Sequence, residues 1–329
     1  MGRHGRQMGS SQEAPGVSTS ERDVLAVGRR GSADVVFIIG AARSGTTLLY
    51  KALCLHPDVS YISNWVGRFP GLPWLASLDR IARRMPAARR RVWFGRDSNA
   101  YVYGTKRRVR DRIFPMPVEG EPVYGRCGIR KPGGPSVAAV DDPEERLRGL
   151  LRSIGRSSGG SIFVSKRIAN NLRIPLLART FPEARFVEIV RDGRAVAYSL
   201  SRVDWWESSV VWWYGGTPEQ WRDEGRDPWD MCARNWLEEL REIRSGLAVV
   251  EPQQVSSIRF EALTDDPIRT LESVAAFIGL PSSAGWRAEL GRLQRPDRSE
   301  TWRTGLDDAV AQKITSIQLE ELRALGYRL

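Results

Sequence analysis

Val35-Val-Phe-Ile-Ile-Gly40-Ala-Ala-Arg-Ser-Gly-Thr-Thr47 is the stretch from which the rest of this 329-residue chain is best read. Val35 to Ile39 is a continuous apolar, largely β-branched run closed by Gly40, the pattern of a strand buried on both faces. A helix follows from near Ser44, with Leu48, Leu49, Ala52 and Leu53 on one face and His56-Pro57 ending it. Strand, Gly40-x-x-x-x-Gly45, helix is a layout that grips anions. Its tight turn aims successive backbone N–H groups at one point, at the positive end of a helix. A triphosphate-binding version continues with Lys-Ser/Thr after the second glycine. Here Thr46-Thr47 follows, and the cation comes earlier, at Arg43. The plain alternative is a glycine turn that binds nothing; an arginine and two threonines at the turn speak against it.

Outward from this loop, strands and helices alternate. Ser161–Ser165, Arg185–Val190 and Val255–Phe260 read as further strands. Helices are expected over about 174–180, from near Gly193, over 229–245, through Phe277 to the stop at Gly279-Leu-Pro281, and over 307–325. Residues 64–130 and 204–229 read as irregular insertions, rich in Pro, Gly and Trp. The expected fold is α/β: a P-loop-containing, three-layer domain over 34–329 with a central, mostly parallel β-sheet flanked by helices. Residues 1–33, rich in Gly, Ser and Arg and poor in apolar residues, read as a disordered basic tail.

A second motif lies at Val187-Glu-Ile-Val-Arg-Asp-Gly-Arg-Ala-Val-Ala-Tyr-Ser199, where Arg191 leaves a strand and Ser199 stands about two turns into the next helix. Such a pair can give a phosphate monoester a charge-assisted bond and a hydroxyl bond. Alone, Arg191-Asp192 could equally be a structural ion pair. Together the two motifs resemble the sulfotransferases that use 3′-phosphoadenosine 5′-phosphosulfate (PAPS). Their donor loop commonly reads Pro-Arg/Lys-Ser-Gly-Thr-Thr, from which Ala42-Arg43-Ser44-Gly45-Thr46-Thr47 departs only at Ala42. The resemblance implies that Arg43, Ser44, Gly45, Thr46 and Thr47 hold the 5′-phosphosulfate and that Arg191 and Ser199 hold the 3′-phosphate. Phe181–Phe186 and Arg259-Phe-Glu-Ala-Leu263 look like further landmarks of that family, with Phe260 in place of the usual tyrosine. Ser299-Glu-Thr-Trp-Arg303 is similar to a segment that closes over the donor, which implicates Trp302 and Arg303. Residues 64–160 match only loosely.

Sulfuryl transfer needs cations on the sulfuryl oxygens and a base for the acceptor's proton. Arg43 is one cation; Lys166, just beyond a strand, is the second catalytic candidate implied by the resemblance, against the plain reading of a surface lysine. No base stands at the positions the family uses. His56 reads as a packing residue, which leaves Asp97, Asp204 and Glu207 as loop carboxylates, none of them assigned. No metal site is expected. Seven of the twelve tryptophans fall between Trp205 and Trp236, either walling an acceptor pocket or pinning a lid. The expected acceptor is a hydroxyl or amine of a small molecule, carbohydrate or lipid.

Nearly all of the net charge of +11 lies in residues 80–112, which hold eleven Arg and one Lys against Asp97 and Asp111. This is either a solvated face or a patch that draws an anion; no recognised nucleic-acid motif accompanies it. Cys54, Cys127 and Cys232 form no Cys-x-x-Cys pair and imply neither a disulfide framework nor zinc. With no secretory signal and no membrane-length apolar run, the chain reads as cytoplasmic. The rival readings are a kinase using Mg-ATP, and a non-catalytic nucleotide- or nucleic-acid-binding module.

Overall fold

The computed structural model describes residues 1–2, 34–94, 113–134, 136–293 and 300–329; the elements below belong to the unit Ala33–Leu329. Residues 3–33 of the expected basic tail, Asp97 and much of the Arg-rich stretch lie outside the described residues. Five strands form one sheet: β1 Asp34–Ile39, β2 Val59–Ser60, β3 Ile162–Lys166, β4 Arg185–Val190 and β5 Val255–Arg259. Their order is β2-β3-β1-β4-β5, and every pairing is parallel.

The continuous apolar reading of β1 has a direct physical counterpart. Val36 and Ile38 join one hydrophobic core with Leu49, Leu53, Val164 and Val187, while Val35, Phe37 and Ile39 join another with Phe163, Phe186 and Leu177. Successive side chains point to opposite faces, so the sheet is covered by helices on both sides and the three-layer arrangement follows. Each fully buried side chain of this size contributes roughly 1.5–3 kcal/mol.

Helix Thr46–Cys54 returns from β1, and helix Gly193–Leu200 follows β4. Helix Pro228–Leu247 packs against it, and helix Asp308–Ala324 packs against both. The 64–94 region contains short helices, as its composition suggests. The sixteen-residue helix Pro143–Ser158 was not anticipated, although its start is encoded: the Asp142 side chain accepts from the Glu145 N–H, with Pro143 at the first position. Lys166 is the last residue of β3 rather than beyond it.

Topology decides where a ligand fits. The chain runs from β1 to β2 and β3 on one side, then crosses to β4 and β5 on the other. The carboxyl ends of β3, β1 and β4 therefore flank the switch point where parallel α/β sheets bind ligands. The register pairs Ile38 with Lys166, Ile39 with Glu188 and Val190 with Arg259. The Gly40 loop, Lys166, Arg191 and Phe260 consequently share one edge.

Candidate functional site

The loop between β1 and its helix is closed by Ser44 N–H donating to the Ala41 carbonyl at 3.1 Å. Arg43 takes a left-handed backbone (φ 71°), uncommon for a residue with a side chain. Both motif glycines are required by close approach. A Cβ at Gly40 would lie 2.5 Å from the Ile189 carbonyl oxygen, and one at Gly45 (φ 92°) would lie 2.3 Å from the Phe260 ring. Ser44, Thr46 and Thr47 are buried, and the Ser44 hydroxyl has no hydrogen-bond partner among the described residues.

Arg43, Arg191 and Ser199, drawn from three places in the sequence, meet here. Arg43 Nε donates to Ser199 Oγ at 2.9 Å, and Arg191 donates to the Arg43 carbonyl at 3.0 Å. The Arg191 guanidinium lies 4.3 Å over the Phe260 ring. Burial pulls its pKa down to about 10, with Arg43 adding to the shift and Glu261 opposing it. Asp192 does not pair with Arg191. It caps helix Gly193–Leu200 and binds Arg194 at 2.8 Å, so the structural ion pair in this motif is Asp192–Arg194.

Lys166 is no surface lysine; its side chain is 2% exposed. Its Nζ donates to Thr47 Oγ1 at 3.1 Å and to Glu119 Oε1 at 2.5 Å. Arg167 also binds Glu119 and donates to Glu121 at 2.9 Å, and Arg173 completes the network on Glu121 at 2.6 Å. Burial disfavours the charge on Glu119, but Lys166 and Arg167 outweigh it and hold the carboxyl down at about 2. Sequence reasoning missed Glu119, because it lies in the loosely matching 64–160 region. The antiparallel bridge Ser63–Pro117 carries it to the sheet edge, and that contact has no local signature.

The other candidates are placed as follows. Trp302 is buried, with the Arg194 guanidinium 4.5 Å over its ring; this ties the 301–305 turn to helix Gly193–Leu200. Arg303 is half-exposed and pairs with Glu300. Asp204 and Glu207 are exposed, and Glu207 pairs with Arg222 at 2.9 Å. His56 is buried, with Nε2 3.0 Å from the Pro281 carbonyl oxygen and Nδ1 accepting from the Asp58 N–H; burial lowers its pKa. Trp206 and Trp221 anchor the 204–229 segment in a small core, and Trp236 is wholly buried beside Ala41, so these three pin rather than line. Trp205 remains 42% exposed. Cys54, Cys127 and Cys232 are buried free thiols. Among the described residues no His/Cys/Asp/Glu group could hold a metal ion, and no helix is long and apolar enough to cross a membrane.

Comparison with known proteins adds the following. The fold is similar to sulfotransferase STF9 from Mycobacterium avium, at 14% identity and a TM-score of 0.55, over 91% of this chain and 78% of that one. It also matches sulfotransferase STF1 from Mycobacterium tuberculosis H37Rv, at 17% identity and a TM-score of 0.49, over 87% and 76% of the two chains. A further match is mouse sulfotransferase SULT7A1 complexed with PAP, at 11% identity and a TM-score of 0.40, over 88% and 85%. No curated protein matches the sequence significantly. The model of the sulfotransferase family, however, matches residues 35–284, most of the chain, and covers both the Gly40–Thr47 loop and the Arg191–Ser199 motif. This protein therefore belongs to the sulfotransferase family.

Proposed function

We propose that the carboxyl edge of β3, β1 and β4 is the donor site of this sulfotransferase, that PAPS is the donor, and that Glu119 takes the acceptor's proton. The carrying observation is the convergence of Arg43, Arg191 and Ser199 at a loop whose Ser44 hydroxyl is buried without a partner among the described residues. A buried guanidinium, a partly buried one and an orphaned hydroxyl fit an anion with several acceptor oxygens. Arg43 and the amides and hydroxyls of Ser44, Gly45, Thr46 and Thr47 would hold the 5′-phosphosulfate. Arg191 and Ser199 would hold the 3′-phosphate, with Trp302 and Arg303 closing over the nucleotide.

When bound, PAPS supplies a sulfuryl group on a good leaving phosphate. Arg43 and Lys166 counter the charge on the sulfuryl and leaving oxygens, the largest single contribution a site of this kind makes. The new S–O bond forms to the acceptor oxygen as the bond to the phosphate breaks, and the acceptor's proton passes to Glu119. The two cations now on Glu119 keep it ionised but weakly basic. Transfer of Lys166 to the donor's oxygens removes one of them and raises that basicity. The acceptor class we infer is a hydroxyl or amine of a small molecule, carbohydrate or lipid. The three free thiols accord with a reducing, cytoplasmic setting.

The test is thermal stabilisation by 3′-phosphoadenosine 5′-phosphate (PAP) against Mg-ATP, followed by labelled-donor transfer across acceptor classes. PAP is expected to stabilise the chain, and preference for Mg-ATP overturns the reading. In Lys166→Met, turnover should fall about a hundredfold while PAP still binds. Unchanged turnover removes Lys166 from the chemistry.

A further inference from the structure

Behind the donor loop runs a line of buried polar side chains that the transfer chemistry does not use. Asn171 follows β3, and its amide brackets one residue of the loop. The Gly40 N–H donates to Asn171 Oδ1 at 3.2 Å, and Asn171 Nδ2 donates to the Gly40 carbonyl at 3.0 Å. An asparagine amide has two N–H bonds, and the second goes to Glu239 Oε2 at 2.6 Å. Asn235 stands one turn before Glu239 on the same face of helix Pro228–Leu247 and favours its charged form. Asn235 Oδ1 in turn accepts from the Trp213 indole N–H at 3.0 Å. Trp213 belongs to the Trp-rich 204–229 segment, where it meets Trp221 edge-on with centroids 6.1 Å apart.

Asn171, Asn235 and Glu239 are all buried, at 1%, 4% and 6% exposure. An apolar side chain would fill the Glu239 position without the desolvation cost of a carboxyl. The carboxyl does something Leu could not. It accepts the spare Asn171 N–H, and so fixes which way round the amide sits against Gly40. A flipped amide would set oxygen against the Gly40 carbonyl and nitrogen against its N–H, releasing the first residue of the loop.

We propose that Asn171 and Glu239 are positioning residues for the donor loop, and that Asn235 and Trp213 carry the same hold into the Trp-rich segment, coupling that segment's order to donor affinity. The inference rests on the donor assignment above. The relay joins the strand-end loop to the segment expected near the acceptor through two hydrogen-bonded pairs, Asn171–Glu239 and Asn235–Trp213, whose members Glu239 and Asn235 are helical neighbours one turn apart.

Calorimetric titration of the full chain with PAP tests this. Asn171→Ala and Glu239→Leu should each weaken PAP binding about tenfold, and the double variant should be no weaker than either, because members of one network are not additive. Glu239→Gln should bind within about threefold of wild type, since its side-chain carbonyl still accepts from Asn171. Trp213→Phe should weaken binding about threefold with its unliganded melting temperature recorded alongside. Wild-type affinity in Asn171→Ala, or losses that multiply in the double variant, overturns the positioning role. Wild-type affinity in Trp213→Phe overturns the coupling to the segment. Should Glu239→Leu not fold, Asn171→Ser decides: weakened binding supports the proposal and wild-type binding sinks it. If the wild-type chain binds no PAP, the donor reading falls; if the wild type and every variant bind alike, only this inference does.

Discussion

Arg80, Arg83 and Arg89 and the two arginines at the carboxyl edge of the sheet, Arg43 and Arg191, carry the same charge but stand at opposite ends of helices. Arg80 donates to the Ser157 and Arg156 carbonyls at 2.8 and 3.0 Å, and Arg83 donates to the Ser158 carbonyl at 2.9 Å. These are the last carbonyls of helix Pro143–Ser158, which have no partner within the helix and lie at its negative end. Arg89 likewise reaches the Cys54 carbonyl at the end of helix Thr46–Cys54, and Arg90 pairs with Glu289. Arg43 and Arg191 instead precede helices Thr46–Cys54 and Gly193–Leu200, at the positive ends, where a cation is disfavoured until an anion arrives. One set is taken up by helix ends of the fold; the other holds the Gly40–Thr47 loop to the motif after β4 and is, on the function proposed above, the set that meets the donor. Among the described arginines of this stretch, Arg80, Arg83 and Arg89 thus act as helix terminators, while Arg84 and Arg91 are exposed.

The sharpest way to break this comparison is to exchange one arginine from each set for a neutral residue and read two quantities. Arg191→Met should weaken PAP binding about a hundredfold, the upper range for a charge-assisted pair, without lowering the melting temperature of the unliganded chain by more than a degree or two. A large loss of unliganded stability would place Arg191 with the structural set. Arg83→Ala should show the opposite pattern. Its loss leaves the Ser158 helix-end carbonyl and the Val59 carbonyl of β2 without this donor, at a cost of about 1–3 kcal/mol, measurable by denaturant unfolding, with PAP affinity unchanged. A matching loss of affinity would mean the two sets are coupled and the distinction fails.

Position along a helix also explains what was legible in the sequence. The strands and the Gly40–Thr47 turn could be read because their signals are local. β1 alternates between two cores within five residues, Gly40 and Gly45 mark close approaches, and Arg191 and Ser199 share one short motif. The destination of Arg80 and Arg83 could not be read, since their partners lie more than seventy residues away and are backbone atoms without sequence identity. Glu119 was invisible for a related reason: its register against Ser63 is set by a single bridge between two irregular stretches. Asn171 stands a few residues past β3, in a stretch whose residue types carry no local signal of a role. An amide offers no proton chemistry, and its role depends on Gly40, a residue 131 positions away.

A last effect, read through pH alone, concerns the carboxyl behind the loop. Burial is the main cause that pushes the Glu239 carboxyl up to about 7, against the hydrogen bond from Asn171, the neighbouring Asn235 and the charge of Lys166. In the unfolded chain the same group titrates near ~4.3. Between those values the folded chain holds a proton that the unfolded chain has released, so this group favours folding less and less as pH rises. The penalty grows from about pH 4.3 and levels off once the folded carboxyl ionises, above about 7. Asp79, pushed up to about 8 by burial, adds a penalty of the same sign, and Glu119, held at about 2, adds stability above its unfolded value. Both are present in wild type and in Glu239→Gln, so they cancel in the difference. Glutamine cannot titrate and resembles the protonated acid. Its melting temperature relative to wild type should therefore climb by a few degrees between about pH 5 and pH 8. A flat difference would mean that Glu239 is ionised in the folded chain throughout. The contact behind Gly40 would then be a charged one, with the Asn171 amide held by a carboxylate rather than by a neutral acid.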